Sequence, residues 1–221
     1  MNSNEKFQQK FDSIASIYEQ ISNNYTIKRR VESGLCLSDK IVLEVGSGTG
    51  IISELMDENI ICSDISFQMC KQSVKKKRKN VICCDAEKLP IRNDVLDVLL
   101  SAEMIYYLND IENFISCSHN SLKNNSEMSI TMFNQKMKFI DKVRTFLRIF
   151  DKNQYFDDGQ RDFLSTDILK KILYKYQFEI IAIEKKVIFP FSFFHKINLI
   201  LEKTFLNYFS YFITIRVKCN K

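Results

Sequence analysis

The sequence predicts an α/β chain built on a mostly parallel sheet with helices packed on its faces. From residue 40 onward, short β-branched apolar runs alternate with helix-patterned segments, the order produced by repeated βαβ units. Three of the five glycines in the chain, Gly46, Gly48 and Gly50, follow directly on the first apolar run, as they would where a strand turns sharply into a helix. The size agrees. With 221 residues, 45% apolar and 27% charged, the chain can bury one sizeable core and is too short for two ordinary domains, so a single domain over 1–221 is expected.

The first forty residues carry no strand signal and read as a helical lead-in over 1–39, with Phe11, Ile14 and Tyr18 spaced three or four apart. Five strands are expected next, at Ile41–Val45, Ile60–Ser63, Val81–Cys84, Val95–Leu100 and Met128–Phe133. Helical patterns separate them at Ile51–Met56, at Ser66–Lys77 with Ser66 as cap, and at Asp110–His119. Beyond residue 133 the pattern changes. Phe139, Ile140, Val143, Phe146, Leu147 and Phe150 share one helical stripe opposite Lys138, Lys142, Arg144 and Arg148, which suggests an inserted basic helix. A further helix capped by Ser165 or Thr166 precedes strands over Ile180–Ile188 and Tyr211–Val217.

Charge and composition argue against several classes. The net charge of +5 is matched by the run Lys75, Lys76, Lys77, Arg78 and Lys79, a solvated basic helix end by the simplest reading. A nucleic-acid binder spreads its basic excess over a face, so nucleic acid is not the expected partner. Seven cysteines without a C-x-x-C pair or a signal-peptide pattern read as reduced thiols in a cytoplasmic protein. With only two histidines, no metal site is expected; His119 complements a helix end, and His195 reads as structural or exposed. The apolar stretch Val187–Val217 is interrupted by His195, Lys196, Glu202, Lys203 and Arg216, short of the ~18 uncharged residues a span needs; peripheral membrane contact is the most it would make.

The loop Gly46-Ser47-Gly48-Thr49-Gly50 reads as a ligand cradle at the carboxyl end of the sheet. The dinucleotide fingerprint wants a glycine where Ile51 stands, and Glu44 would repel a pyrophosphate, so a cationic ligand fits better. Asp64, closing the second strand, can accept both hydroxyls of a ribose in charge-assisted bonds of roughly 1.5–3 kcal/mol each. A positively charged nucleoside satisfies both acids.

Three segments together, Val42-Leu43-Glu44-Val45-Gly46-Ser47-Gly48-Thr49-Gly50, Ser63-Asp64-Ile65-Ser66 and Cys84-Asp85-Ala86-Glu87-Lys88-Leu89-Pro90, resemble the class I S-adenosylmethionine-dependent methyltransferases. The resemblance implies a three-layer Rossmann-like fold, a seven-stranded, mostly parallel sheet with a reversed last strand, and S-adenosyl-L-methionine as cofactor. It places Glu44 with Gly46, Ser47 and Gly48 at the methionine moiety, Asp64 with Ile65 at the ribose, Asp85 with Ala86 at the adenine, and Ser101 on the cofactor floor. The lead-in Phe11–Glu19 is similar to the start of the quinone- and biotin-pathway methyltransferases, where a tyrosine in the place of Tyr18 covers the cofactor. Residues 1–39 would then be a lid, 40–133 the cofactor-binding half and 134–221 the substrate-side half with its inserted helix. The chain departs from the family at Asn124-Asn125, where Pro-Gly is usual, and at Gln177, where a glycine commonly ends the last helix.

Transfer from a sulfonium is an in-line displacement in which positioning can supply ~7–11 kcal/mol of the barrier. No general acid or base is named, and no catalytic residue. Glu103, Tyr106 and Tyr107 follow the fourth strand and are the acceptor-side candidates. The expected activity is methylation of a small metabolite, lipophilic if the aromatic stretch Val187–Ile213 lines its pocket. That stretch reads first as core, and otherwise as an apolar pocket or membrane-facing patch. A cofactor-binding scaffold subunit of the same fold is the alternative function, and an RNA methyltransferase a third.

Overall fold

The computed structural model describes residues 3–31, 35, 37–56, 60–134, 164–189 and 191–221. The expected inserted helix over 139–150 lies outside them.

The apolar runs form β1 (Val42–Val45), β2 (Ile61–Asp64), β3 (Val81–Cys83), β4 (Leu96–Ala102), β5 (Leu122–Phe133), β6 (Phe178–Lys186) and β7 (Phe212–Cys219). They pair into one sheet of order β3-β2-β1-β4-β5-β7-β6. β1 to β5 pair in parallel, while β7 lies antiparallel between β5 and β6, which is the reversed last strand. All four residues of β1 are buried, as a central strand covered on both faces requires. β6, on the edge, buries only Phe178, then alternates exposed and half-buried positions as far as Ile183, and carries Glu179, Glu184, Lys185 and Lys186, charges that blunt an open edge.

The helices are α1 (Ser3–Ile14), α2 (Tyr18–Ile21), α3 (Asn24–Val31), α4 (Ile51–Met56), α5 (Phe67–Lys75), α6 (Ile111–Ser121), α7 (Thr166–Lys175) and α8 (His195–Leu201). Side-chain caps start four of them: Asn23 accepts from the Thr26 N–H, Ser66 from the Met69 N–H, Asp110 from the Asn113 N–H and Ser165 from the Asp167 N–H. Leu43, Leu99, Phe114, Ile115, Ile130, Ile215 and Val217 fill the larger core; Val42, Ile60, Val98 and Leu100 fill a smaller one, the alternation along β1 and β4 sending neighbours to opposite faces.

Both departures from the family pattern fall on left-handed backbone, Asn125 at φ 65° and Gln177 at φ 58°. The turns keep their shape although a side chain replaces glycine, at a cost of ~1–2 kcal/mol each for residues with a Cβ.

Three expectations are corrected. Tyr18 is not on the stripe of Phe11 and Ile14, because the chain turns after Ile14, the Ile17 N–H donating to the Ile14 carbonyl at 3.0 Å, and Tyr18 opens a new helix. The basic run is not simply solvated: Arg78 is buried, and Lys76 binds Glu54 at 3.0 Å and also Glu19. Nor is the aromatic stretch after Val187 mainly core. Phe191, Phe193, Phe205, Tyr208 and Phe209 are exposed, because the backbone there is pinned by polar side chains and turns these rings outward.

Candidate functional site

The sheet order reverses at β1, whose chain neighbour β2 lies on one side while β4 lies on the other. Ligands of such sheets bind in the crevice beyond the carboxyl ends of the strands at this switch point. The glycine loop leaves β1 there, and Ser101, Glu103 and Met104 leave β4 beside it.

Gly46 and Gly48 adopt φ 71° and 55°. At Gly46 a Cβ would sit 2.5 Å from Met104 Cγ, whereas at Gly48 it would meet only Tyr18 Cε1 at 3.7 Å. The first glycine is therefore required by packing as well as by φ. The second keeps open a space over which the Tyr18 ring is already poised.

Asp64, at the end of β2, accepts from the Gly48 N–H at 2.8 Å through Oδ2 and from the Ser66 N–H at 2.8 Å through Oδ1. One carboxylate thus ties the glycine loop to the start of α5. Burial pushes its pKa up, with the two N–H donors opposing and nearby Asp12 adding to the rise. Each oxygen keeps a lone pair able to accept from a ligand hydroxyl. Ile65 follows it into the same turn.

Glu44 lies elsewhere than the open side of the loop. Its carboxylate is 1% exposed and accepts from the Ser53 hydroxyl of α4, which also lies 3.1 Å from Cys62 Sγ. Burial pushes its pKa up to about 7, the Ser53 hydrogen bonds and the Arg78 charge pulling the other way. Glu44 fastens the first turn of α4 beneath the glycine loop.

At the third strand, Asp85 caps a short 3-10 turn, accepting from the Glu87 N–H at 2.9 Å, with Ala86 buried beside it. Glu87 is the structural key of this corner. Its Oε1 accepts from the Asn109 N–H at 2.6 Å and the Asp110 N–H at 3.2 Å, binding the turn after β3 to the loop after β4.

Three buried hydroxyls beside or beneath this crevice, Ser47, Thr49 and Ser101, have no hydrogen-bond partner among the described residues. Unmet buried polar groups are costly unless a ligand or water completes them. With a glycine cradle and a carboxylate holding free lone pairs, they fit a polar nucleoside-bearing group.

The acceptor-side candidates divide. Glu103 stands in left-handed backbone at φ 62°, its N–H donating to the Thr131 carbonyl at 2.7 Å. Its Oε2 lies 3.7 Å from Arg30, whose guanidinium stacks over the Phe212 ring at 5.1 Å, and its Oε1 is buried with no hydrogen-bond partner among the described residues. Strained backbone at the end of a central strand is a feature of ligand sites. The Tyr107 ring meets Phe7 at 5.1 Å, Phe11 at 5.3 Å and Tyr106 at 4.8 Å.

Sequence reasoning missed the residues that fasten α1 over the crevice. Asp12 Oδ1 accepts from the Ser66 hydroxyl at 2.6 Å and the Gln68 N–H at 3.0 Å, while Phe7 and Phe11 seat on Tyr107. An acid one place from the Phe11 stripe was the available signal. Arg30, Glu87 and Met104 were also missed, since nothing local marks a partner 22 or more residues away. His195 packs edge-on to Tyr25 at 5.9 Å and His119 to Phe178 at 5.5 Å, both in structural places. No group of three or more His, Cys, Asp or Glu able to hold a metal ion occurs among the described residues.

Residues 43–130 match the family model described as a methyltransferase domain. An uncharacterized protein of Methanocaldococcus jannaschii is 30% identical over 94 residues, 41% of this chain and 37% of that protein, so the match spans little more than a third of that relative. Among solved structures, a Thermotoga maritima S-adenosylmethionine-dependent methyltransferase, described as a possible histamine N-methyltransferase, superposes with TM-score 0.72 at 17% identity, covering 96% of this chain and 99% of that one. The complex of the Haloferax volcanii Trm112 methyltransferase activator with its methyltransferase gives TM-score 0.69 at 12% identity over 96% of this chain and 98% of that chain. At such identities these two likenesses show the fold alone. The family match takes in the glycine loop and both acidic turns, so this part of the chain is similar to a methyltransferase domain, on a fold shared with S-adenosylmethionine-dependent methyltransferases.

Proposed function

We propose that this chain binds S-adenosylmethionine in the crevice over β1, β2 and β4 and transfers its methyl group to a small metabolite. The observation that carries the reading is the Asp64 bridge: a half-buried carboxylate that shapes the glycine loop through the Gly48 N–H yet keeps lone pairs for two ribose hydroxyls. When bound, the cofactor supplies a sulfonium-activated methyl group.

The protein's part is to bind, orient and exclude water. Gly46, Ser47 and Gly48 offer loop backbone, with the unmet hydroxyls of Ser47 and Ser101, to the methionine end. Asp64 and Ile65 hold the ribose, and Asp85 with Ala86 the adenine. Tyr18 covers the loop, held there by an α1 anchored through Asp12 and Tyr107. Glu44 acts at one remove, supporting the loop from α4. On the acceptor side, the unmet Glu103 Oε1 beside Ser101 orients an acceptor N–H or O–H, with Arg30 holding the other oxygen. A lipophilic acceptor is supported by the apolar surroundings of Tyr106 and Met104.

Thermal and denaturant stability with cofactor tests this. A ligand at a hundred times its Kd adds about 2.7 kcal/mol, and Asp64→Asn should remove most of that gain. No stabilisation at millimolar S-adenosylmethionine would reject the proposal. A second reading, a cofactor-binding subunit that supports a partner, is supported by the likeness to a methyltransferase bound by an activator. Turnover of a labelled methyl group by this protein alone would exclude it.

A further inference from the structure

The segment from Phe191 to Phe209 presents apolar side chains to solvent to an extent that packing does not explain. Phe205 is 84% exposed, Phe193 75%, Ile200 66% and Phe191 54%. The rings meet one another instead of the core: Phe191 and Phe193 stack at 5.6 Å, and Phe193 and Phe194 lie 4.3 Å apart. On α8, Ile197, Leu199 and Ile200 are all exposed, so its apolar surface extends over a wide arc instead of one inward stripe, the pattern of a helix meant for an apolar medium.

This surface rests on a firmly held backbone. Asn198 is fully buried; its Oδ1 accepts from the Phe189 N–H at 2.9 Å, and its Nδ2 donates to the Phe189 carbonyl and to Tyr25 Oη at 2.8 Å each. Glu202 binds Arg29 of α3 and accepts from the Val187 N–H at 2.7 Å. The charge distribution is one-sided as a result. Glu202 is the sole carboxylate between residues 187 and 213 and is turned inward, whereas Lys196 and Lys203, and Lys28 on adjoining α3, are exposed.

We propose that this face docks on an anionic lipid surface, the phenylalanines entering the headgroup boundary and Lys28, Lys196 and Lys203 meeting the negative charge. Aromatic rings favour that boundary, and each lysine near it adds attraction that salt screens. No helix among the described residues is long and apolar enough to cross a membrane, so the contact is peripheral. The inference does not rest on the methyl-transfer reading.

Co-sedimentation of the full chain with phosphatidylcholine vesicles, with and without phosphatidylserine, tests it. The protein should partition onto the phosphatidylserine vesicles and leave them as salt rises. Phe193→Ser and Phe205→Ser should each weaken partitioning about ten-fold, and Lys196→Gln and Lys203→Gln about five-fold each while flattening the salt dependence. Unchanged thermal unfolding of the variants shows that they fold. No partition onto the anionic vesicles, or partition that none of the four substitutions weakens, overturns the proposal. So does sedimentation equilibrium showing a dimer that Phe193→Ser and Phe205→Ser dissociate, which would give the face to a second copy of the chain.

Discussion

Replacing Glu44 by glutamine isolates one enclosed carboxylate. In the unfolded chain this group titrates near 4.5; folded, burial pushes it up to about 7. The folded protein therefore keeps a proton on Glu44 over a range where the unfolded chain has lost it, and stability falls as pH rises through that range and levels off above it. At 1.36 kcal/mol per pH unit, the window corresponds to about 3 kcal/mol. In Glu44→Gln the side chain is neutral at every pH, and its oxygen can still accept from the Ser53 hydroxyl. Urea unfolding of both proteins between about pH 5 and pH 8 measures the difference, in which groups common to both cancel, including Asp64, whose pKa burial also raises. The variant should be equal or slightly weaker at the acid end and gain on the natural protein by about 3 kcal/mol across the window. A difference that is flat with pH, or that moves toward the natural protein as pH rises, would refute the enclosure of this carboxylate.

Gly46→Ala should cost more than Gly48→Ala in denaturant unfolding, because both lose the positive φ, ~1–2 kcal/mol, but only the first drives a Cβ into Met104; Met104→Ala should recover part of the first loss and none of the second. Gln177→Gly should stabilise by ~1 kcal/mol, since φ 58° then needs no Cβ; a destabilised variant would argue that the side chain itself anchors the turn. Arg29→Met should cost about 3–5 kcal/mol by leaving Glu202 buried without its partner, and adding Glu202→Gln should return much of it. Equal losses in the single and double variants would mean that packing, not charge, holds α3 to the C-terminal segment.

The glycine loop, the acids of the first two strands and the βαβ alternation were legible because each is local: a turn needing positive φ, a strand buried on both faces and a helix cap all leave their marks within a few residues. Ser66 and Ser165 are caps where the sequence placed them, and all seven strands appear, with β5 beginning earlier, at Leu122, and β6 shifted toward Phe178. The placements that depend on distant chain were not legible. Whether Glu44 faces the crevice or Ser53 depends on how α4 settles on β1 and β2. Asp12 becomes an anchor only when α1 crosses the start of α5, and Glu202 is removed from the surface only because Arg29 arrives from the other end of the chain. The same limit explains the aromatic stretch, which composition alone favours as core; its rings point outward because Asn198 and Glu202 turn the polar backbone inward. Local sequence determined the elements and the loop that cradles a ligand, through short-range sterics and periodicity. Tertiary structure alone decided which carboxylates are enclosed, which are shared and which surface remains apolar, because burial and charge pairing are properties of the assembled core.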